Sequence, residues 1–155
     1  MKHIPQLLGH YNAIDRYIES ELQAEALDPG RKMQLEQRQE VNDHAYFALC
    51  WGQLEAELNE SCREAIRRRA NNVGWTKRRA WDLYNPDDKR LSGLRFEERV
   101  SLVLDKQDSS GGEWDMVMTY YAQRNRIAHG GSYERRIDLN SVIGDFYQIQ
   151  SKIAP

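Results

Sequence analysis

The stretch "FALCWGQLEAELNESCREAI", residues 47–66, decides the fold. Its apolar side chains recur every three or four positions, the spacing that places them on one face of an α-helix. The resulting stripe contains Phe47, Trp51, Leu54, Leu58, Cys62 and Ile66. Because an apolar face of this length must pack against other elements to leave water, the sequence predicts a long helix, roughly 31–70, within a helical domain.

Four other segments show helical periodicity. The first, 4–27, has Pro5 in its first turn and is ended by "DPG" at 28–30; its apolar positions are Ile4, Leu7, Leu8, Tyr11, Ile14, Ile18 and Leu22. The second, 94–106, is expected to bury Phe96, Val100 and either Val103 or Leu104. The residues between the long helix and this segment predict a mostly irregular connection with one helical turn around Trp81.

The last two predicted helices lie near the end of the chain. Segment 113–129 is expected to bury Trp114, Val117 or Met118, Tyr121 and Ala128, and Gly130 and Gly131 end it. Segment 138–154 starts with Asp138 or Asn140 as its N-cap. No alternating run is long enough for a strand. The sequence therefore predicts an all-α antiparallel bundle of four to five helices in a single domain, residues 1–155.

Composition places the chain among globular proteins that are not embedded in membranes. It has 155 residues, 30% of them charged, a net charge of −2 and a mean hydropathy of −0.82. No apolar run approaches the roughly 20 residues that span a bilayer, and the N-terminal segment lacks the apolar core of a signal peptide. We therefore expect a cytoplasmic protein without a membrane partner.

The two cysteines, Cys50 and Cys62, fall on the same predicted helix. Twelve residues at 1.5 Å each separate them by about 18 Å, too far for a disulfide. They are expected to be small core residues in a reducing compartment. Because no Cys and His residues have metal-ligand spacing, we expect neither a metal nor a cofactor.

A second stretch, "AQRNRIAHGG" at 122–131, carries chemistry. Asn125 and His129 are four residues apart and share a face, and the long side chain of Arg124 can reach towards it. His129 falls at the helix C-terminus, where the helix dipole favours the protonated imidazole, and the two glycines leave room beside it. In the purely structural alternative, Arg124 forms an internal ion pair and His129 only caps the helix.

The segment 124–129, "RNRIAH", resembles the signature of the HEPN superfamily, in which an Arg, usually followed by a polar residue, precedes a His by four to six positions. That resemblance implies an all-α fold and a metal-independent endoribonuclease that acts as a homodimer on RNA. It implies catalytic roles for Arg124, Asn125 and His129. An acidic residue on an earlier helix is also expected to face the motif, and Glu55 is the best match.

The resemblance also implies a biological setting, that of a toxin or antiviral-defence component with a protein partner or antitoxin. Members paired with nucleotidyltransferase antitoxins carry a Tyr two residues after the His. Here that position is Gly131, and the next Tyr is Tyr133. A free-standing ribonuclease, or a component with another kind of partner, therefore fits this sequence better.

The charge distribution suggests where RNA would bind. Between Arg63 and Trp81, seven Arg or Lys residues face a single Glu, an asymmetry that can steer a polyanion or merely solubilise a surface. The candidate RNA contacts are Arg67, Arg68, Lys77, Arg78, Arg79 and Arg126. Trp75 and Trp81 can stack on bases or pin the segment to the core. The alternative function is a non-catalytic helical module that binds RNA, a nucleotide or a protein partner.

Overall fold

The computed structural model of the protein describes residues 1–24, 27–88, 91–108, 111–131 and 136–153. Within these ranges the secondary structure is all-helical, and the predicted fold class is confirmed. The helices are α1 (Ile4–Leu22), α2 (Pro29–Ala70), α3 (Trp75–Arg78), α4 (Phe96–Ser101), α5 (Glu113–Ala128) and α6 (Leu139–Ile153). None of the helices in these ranges combines the length and the apolar character needed to cross a bilayer.

The chain divides into two compact units, and α2, α5 and α6 each contribute residues to both. The first unit comprises Met1–Gln53 and Ala122–Phe146, and the second comprises Leu54–Tyr121 and Tyr147–Pro155. The expectation of one domain over 1–155 stays a prediction.

The core of the first unit is aromatic. The ring of Phe146 on α6 lies 6.4 Å from that of Phe47 and 6.1 Å from that of Trp51, both on α2. Tyr11 on α1 makes an edge-on contact with Tyr46 at 5.8 Å. Rings at such distances and tilts gain electrostatic attraction in addition to the burial of apolar area. α6 buries further apolar residues in this unit, namely Leu139, Val142 and Ile143.

The core of the second unit surrounds the C-terminal half of α2. Cys62 and Ile66 are fully buried against Leu91, and the rings of Trp81 and Tyr84 pack on this cluster. Leu91 has a left-handed backbone (φ +46°), which costs a non-glycine residue about 1 kcal/mol. Burial of its side chain, worth about 2 kcal/mol, outweighs that strain. Elsewhere in the unit, Phe96 of α4 stacks on Tyr121 of α5 at 4.2 Å.

Most of the predicted core is confirmed. All six residues of the α2 stripe are buried. Both cysteines are free and buried, and burial raises the pKa of each thiol to about 11, which disfavours a nucleophilic thiolate. Where the sequence left two alternatives, Val117 is buried rather than Met118, and Leu104 is buried rather than Val103. Asp138 is the N-cap of α6, since its carboxylate accepts the N–H groups of Asn140 and Ser141.

Several positions of the predicted core are not buried. Trp114 and Tyr121 are half-buried. Ile14 is 42% exposed, whereas its neighbour on α1, Asp15, is half-buried. Ala128 is exposed because it lies one turn from Arg124 on a solvent-facing side of α5. Helix bounds also differ: α1 ends at Leu22 and α4 at Ser101, whereas the periodicity predicted longer helices. The predicted turn around Trp81 is present as α3 and the hydrogen-bonded turns that follow it.

Replacement of Phe146 by Ala tests the aromatic core. Phe146 is 0% exposed, so Phe146→Ala should lower the free energy of unfolding by about 3–5 kcal/mol through lost burial and a residual cavity. The adjacent Tyr147 is 43% exposed, and Tyr147→Ala should cost less than about 1 kcal/mol. Urea titrations followed by circular dichroism measure both. Equal losses in the two variants would contradict the described core.

Candidate functional site

The last two turns of α5 present the motif residues to solvent. Arg124 and His129 are exposed, and Asn125 is half-buried. The Arg124 guanidinium donates a hydrogen bond from Nη1 to Oδ1 of Asn125 at 3.1 Å. A buried Arg124 would have supported the purely structural alternative, whereas this residue is exposed. Its remaining N–H groups are accessible to an anion.

The end of α5 is closed by backbone hydrogen bonds. The N–H of His129 donates to the carbonyls of Asn125 (3.1 Å) and Arg126 (3.2 Å). Gly130, at φ +74°, donates to Ile127 at 3.0 Å, and Gly131 donates to Arg126 at 2.9 Å. This is the Schellman arrangement, in which a left-handed residue satisfies the last carbonyls of a helix. Because backbone N–H groups satisfy these carbonyls, the imidazole of His129 is not needed as a cap.

Gly131 allows a close approach of Arg126. A Cβ atom at Gly131 would lie 2.6 Å from Cγ of Arg126 and 3.1 Å from its carbonyl oxygen. The aliphatic part of the Arg126 side chain therefore occupies the space that a larger residue at position 131 would need. Arg126 itself is exposed, and its role as an RNA contact stays a prediction. Tyr133 lies outside the described residues.

Gly130→Ala tests this helix end, and Gly144→Ala, in the middle of α6, is its control. Gly130→Ala should lower the free energy of unfolding by about 1 kcal/mol, because φ +74° is unfavourable for a residue with a Cβ. Gly144 lies inside α6 with open space around its Cβ position, so Gly144→Ala should raise that free energy by about 0.5–1 kcal/mol. Thermal and urea unfolding measure both. A neutral or stabilising Gly130→Ala would contradict the left-handed helix end.

Glu55, the predicted acidic partner, is half-buried on α2, one turn after Trp51. It belongs to the second unit, whereas Arg124 belongs to the first. That Glu55 faces the motif stays a prediction.

The basic residues of 63–81 differ in how far their charge is already balanced. Arg67 pairs with Glu64 (2.5 Å), Asp87 (3.3 Å) and Glu60 (3.6 Å). Arg78 lies 3.7 Å from Asp82, and the guanidinium of Arg79 lies over the ring of Trp75 at 5.4 Å. In contrast, Arg68 and Lys77 are exposed and have no carboxylate within ion-pair distance in the described part of the chain. Arg68 and Lys77 therefore remain the best placed of the predicted RNA contacts on this segment.

Sequence reasoning missed a charged cluster in the first unit. Its centre is Arg136, whose guanidinium donates to Asp43 Oδ2 (3.1 Å), Glu19 Oε1 (3.0 Å) and Asp15. The hydroxyl of Tyr11 donates to Asp43 Oδ1 at 2.9 Å. These contacts join the segment before α6 to α1 and α2. A sequence signal was available: Gln39 and Asp43 interrupt the series of buried positions that starts at Leu35 and continues at Phe47.

The two aspartates of this cluster titrate in opposite directions. Burial raises the pKa of Asp43, which is 1% exposed, and the hydrogen bonds from Arg136 and Tyr11 do not offset that effect. At the less buried Asp15, burial also raises the pKa, but hydrogen bonds from Arg136 and Gln39 outweigh it and lower the value overall. Burial of the Tyr11 hydroxyl beside Asp43 raises its pKa as well. The cluster is therefore a structural anchor whose strength depends on pH.

The opposite shifts predict opposite pH profiles for two variants. Because the pKa of Asp15 is lowered in the folded protein, its carboxylate stabilises the fold above the unfolded pKa, and that stabilisation is lost as pH falls. The loss of unfolding free energy in Asp15→Asn should therefore grow from pH 3 to pH 6. Because the pKa of Asp43 is raised in the folded protein, its protonated carboxyl stabilises the fold at low pH, and that stabilisation is lost as pH rises. The loss of unfolding free energy in Asp43→Asn should therefore shrink from pH 3 to pH 6. Urea unfolding across this range measures both. Parallel profiles would contradict these assignments.

Among the residues that the structure describes, no three His, Cys, Asp or Glu side chains form a group that could hold a metal ion. No family model matches the chain, and neither the curated proteins nor the solved structures yield a significant match.

Proposed function

We propose that the protein is a metal-independent endoribonuclease of the HEPN type that works as a homodimer. The observation that carries the proposal is the end of α5, where Arg124, Asn125 and His129 lie within two turns and the side chains of Arg124 and His129 are exposed. The backbone closes the helix, so Arg124 and His129 are available for a ligand. An exposed guanidinium near a titratable imidazole suits a phosphodiester substrate.

The proposed reaction is an internal transesterification. The ribose 2′-oxygen attacks the adjacent phosphorus, the bond from phosphorus to the 5′-oxygen breaks, and a 2′,3′-cyclic phosphate and a 5′-hydroxyl form. One imidazole takes the proton of the 2′-hydroxyl, and another gives a proton to the leaving 5′-oxygen. RNA is the expected substrate because DNA lacks the attacking hydroxyl.

Two copies of the chain would supply both proton-transfer groups. The end of α5 carries one imidazole, His129, whereas the reaction uses a neutral base and a protonated acid. A homodimer with the two motifs facing one cleft provides two copies of His129 in the two protonation states. Such a cleft also brings two copies of Arg124 to a single phosphate.

Arg124 would stabilise the charge that develops on the non-bridging oxygens as phosphorus becomes pentavalent. Its hydrogen bond to Asn125 Oδ1 uses one side of the guanidinium and fixes its orientation. Asn125 is thus a positioning residue for Arg124. No cofactor is needed for any of these steps.

The biological role follows from the resemblance alone. A ribonuclease of this kind fits a toxin or antiviral-defence component in the cytoplasm that a protein partner or antitoxin controls. Because Gly131 stands where a modifiable Tyr would be, we expect control by binding rather than by modification at that position.

Cleavage of a labelled single-stranded RNA in the presence of EDTA tests the proposal. His129→Ala and Arg124→Ala should each lower the rate by about 10²–10⁴-fold, because each removes a group that acts in the transition state. His10→Ala is the matched control, since His10 is also exposed but lies on α1, and it should cleave at the wild-type rate. Mass spectrometry should find 2′,3′-cyclic phosphate ends, and a 2′-deoxy residue at the scissile position should stop cleavage there.

Equal rates in wild type, His129→Ala and Arg124→Ala would show that the site assignment is wrong. Light scattering measures the assembly, and a strict monomer would contradict the two-histidine scheme. Salt-sensitive RNA binding without any cleavage would favour the alternative, a non-catalytic module that binds RNA, a nucleotide or a protein partner.

A further inference from the structure

The second unit contains a cavity of about 440 Å³ beside the Trp81 segment. Its apolar wall is formed by Trp81, Tyr84, Leu94 and Leu102, and its polar residues include Glu97 and Lys106. We call it the Trp81 cavity. Its volume is within the roughly 300–1,000 Å³ typical of small-molecule sites, and an apolar wall with a few polar groups is their usual composition.

The aromatic wall of the Trp81 cavity is held in place from behind. Trp81 and Tyr84 are half-buried, their ring centroids lie 6.3 Å apart, and both pack on the core cluster of Cys62, Ile66 and Leu91. Of the two roles that the sequence left open for Trp81, packing on the core is therefore present. Because Trp81 also lines the cavity, the same ring offers a fixed surface to a planar ligand.

Cations without carboxylate partners adjoin this aromatic wall. The guanidinium of Arg69 lies over the Trp81 ring, 4.5 Å from its centroid. Arg68 and Arg69 line a second depression, and Leu102 lines both this depression and the Trp81 cavity. In the described ranges neither Arg68 nor Arg69 has a carboxylate partner, whereas the neighbouring Arg67 has three. Two exposed guanidiniums whose charge no nearby carboxylate balances attract an anion.

The far rim of the cavity carries charges that are already engaged. Lys106 donates to Glu97 Oε1 at 2.6 Å, and its ammonium lies over the ring of Trp114 at 4.9 Å. Glu98 Oε2 accepts the backbone N–H of Arg95 at 2.7 Å. In the described ranges, the guanidiniums without carboxylate partners, Arg68 and Arg69, line the neighbouring depression, which shares Leu102 with the Trp81 cavity. This polarity suits a ligand with a planar, uncharged part and an anionic part at one end.

We propose that the Trp81 cavity binds an unpaired base of single-stranded RNA while Arg68 and Arg69 bind the adjoining phosphate. Stacking of a base on an aromatic ring together with cations along the backbone is the general mode of single-strand recognition. The choice of RNA as the source of the nucleotide rests on the proposed ribonuclease function. The site itself, an aromatic wall with neighbouring guanidiniums, does not depend on that function.

Binding of a fluorescein-labelled octa-adenylate, measured by anisotropy, tests this proposal. All proteins carry His129→Ala to prevent cleavage. Trp81→Ala should weaken binding by about 5- to 100-fold, the usual loss for one base stack, and Trp81→Phe should recover most of it. Tyr17→Ala is the control, because Tyr17 is an aromatic residue on α1 that is 59% exposed and does not line the cavity. Its affinity should equal that of the parent.

A second variant separates binding from folding, since Trp81 also packs on the core. Ala80 lines the cavity and is exposed, so Ala80→Phe should fill the space while leaving Trp81 and the melting temperature unchanged. It should weaken binding as Trp81→Ala does. Arg68→Gln should reduce the slope of log affinity against log salt by about 0.7, the value for one phosphate contact on a single strand.

The outcomes distinguish this inference from the ribonuclease proposal. Parent-like affinity in both Trp81→Ala and Ala80→Phe would overturn the cavity assignment, whether or not the wild type cleaves RNA. If the wild type never cleaves RNA but Trp81→Ala still weakens binding, the cavity assignment would stand and the ribonuclease proposal would be wrong. Displacement of the octamer by AMP at equal concentration would identify a free nucleotide as the ligand and overturn the assignment to RNA.

Discussion

Removal of one face of α2 from water is the constraint on which the other helices depend. The six stripe residues from Phe47 to Ile66 are at most 2% exposed, and each large side chain contributes about 1.5–3 kcal/mol through burial. In the first unit Phe47 and Trp51 contact Phe146, and in the second Cys62 and Ile66 contact Leu91. In the first unit α6 thus supplies a partner for this face, and in the second unit the segment around Leu91 supplies one.

The same face carries a charge that requires a partner. Asp43 is almost fully buried one turn before Phe47, and a buried carboxylate is tolerated only when it is paired and hydrogen-bonded. Arg136 and Tyr11 meet that requirement, and Arg136 also binds Asp15 and Glu19. Because buried Asp43 needs Arg136 as a partner, the segment before α6 must lie against α2 at this point. An apolar residue at position 43 would need no such partner and would leave this segment without that constraint.

The candidate site differs from the core because its two main side chains are exposed. At the end of α5 the chain closes its helix with backbone hydrogen bonds to Gly130 and Gly131, which leaves Arg124 and His129 exposed. An exposed guanidinium and imidazole contribute little to stability, so packing of the core does not determine which residues occupy these two positions. The Trp81 cavity is a mixed case, in which one ring both packs on the core and lines the cavity.

The sequence by itself determined the elements that depend on local periodicity and capping. The long helix, the α2 stripe, the N-cap at Asp138 and the glycine end of α5 were all predictable, because each depends on residues within a few positions of one another. Only the tertiary structure decided what depends on residues far apart in the chain. Arg136 meets Asp43 across 93 positions, and no local pattern encodes that pairing. The same reason explains Ile14 and Ala128, since periodicity finds an apolar face but packing decides how wide the buried part of that face is.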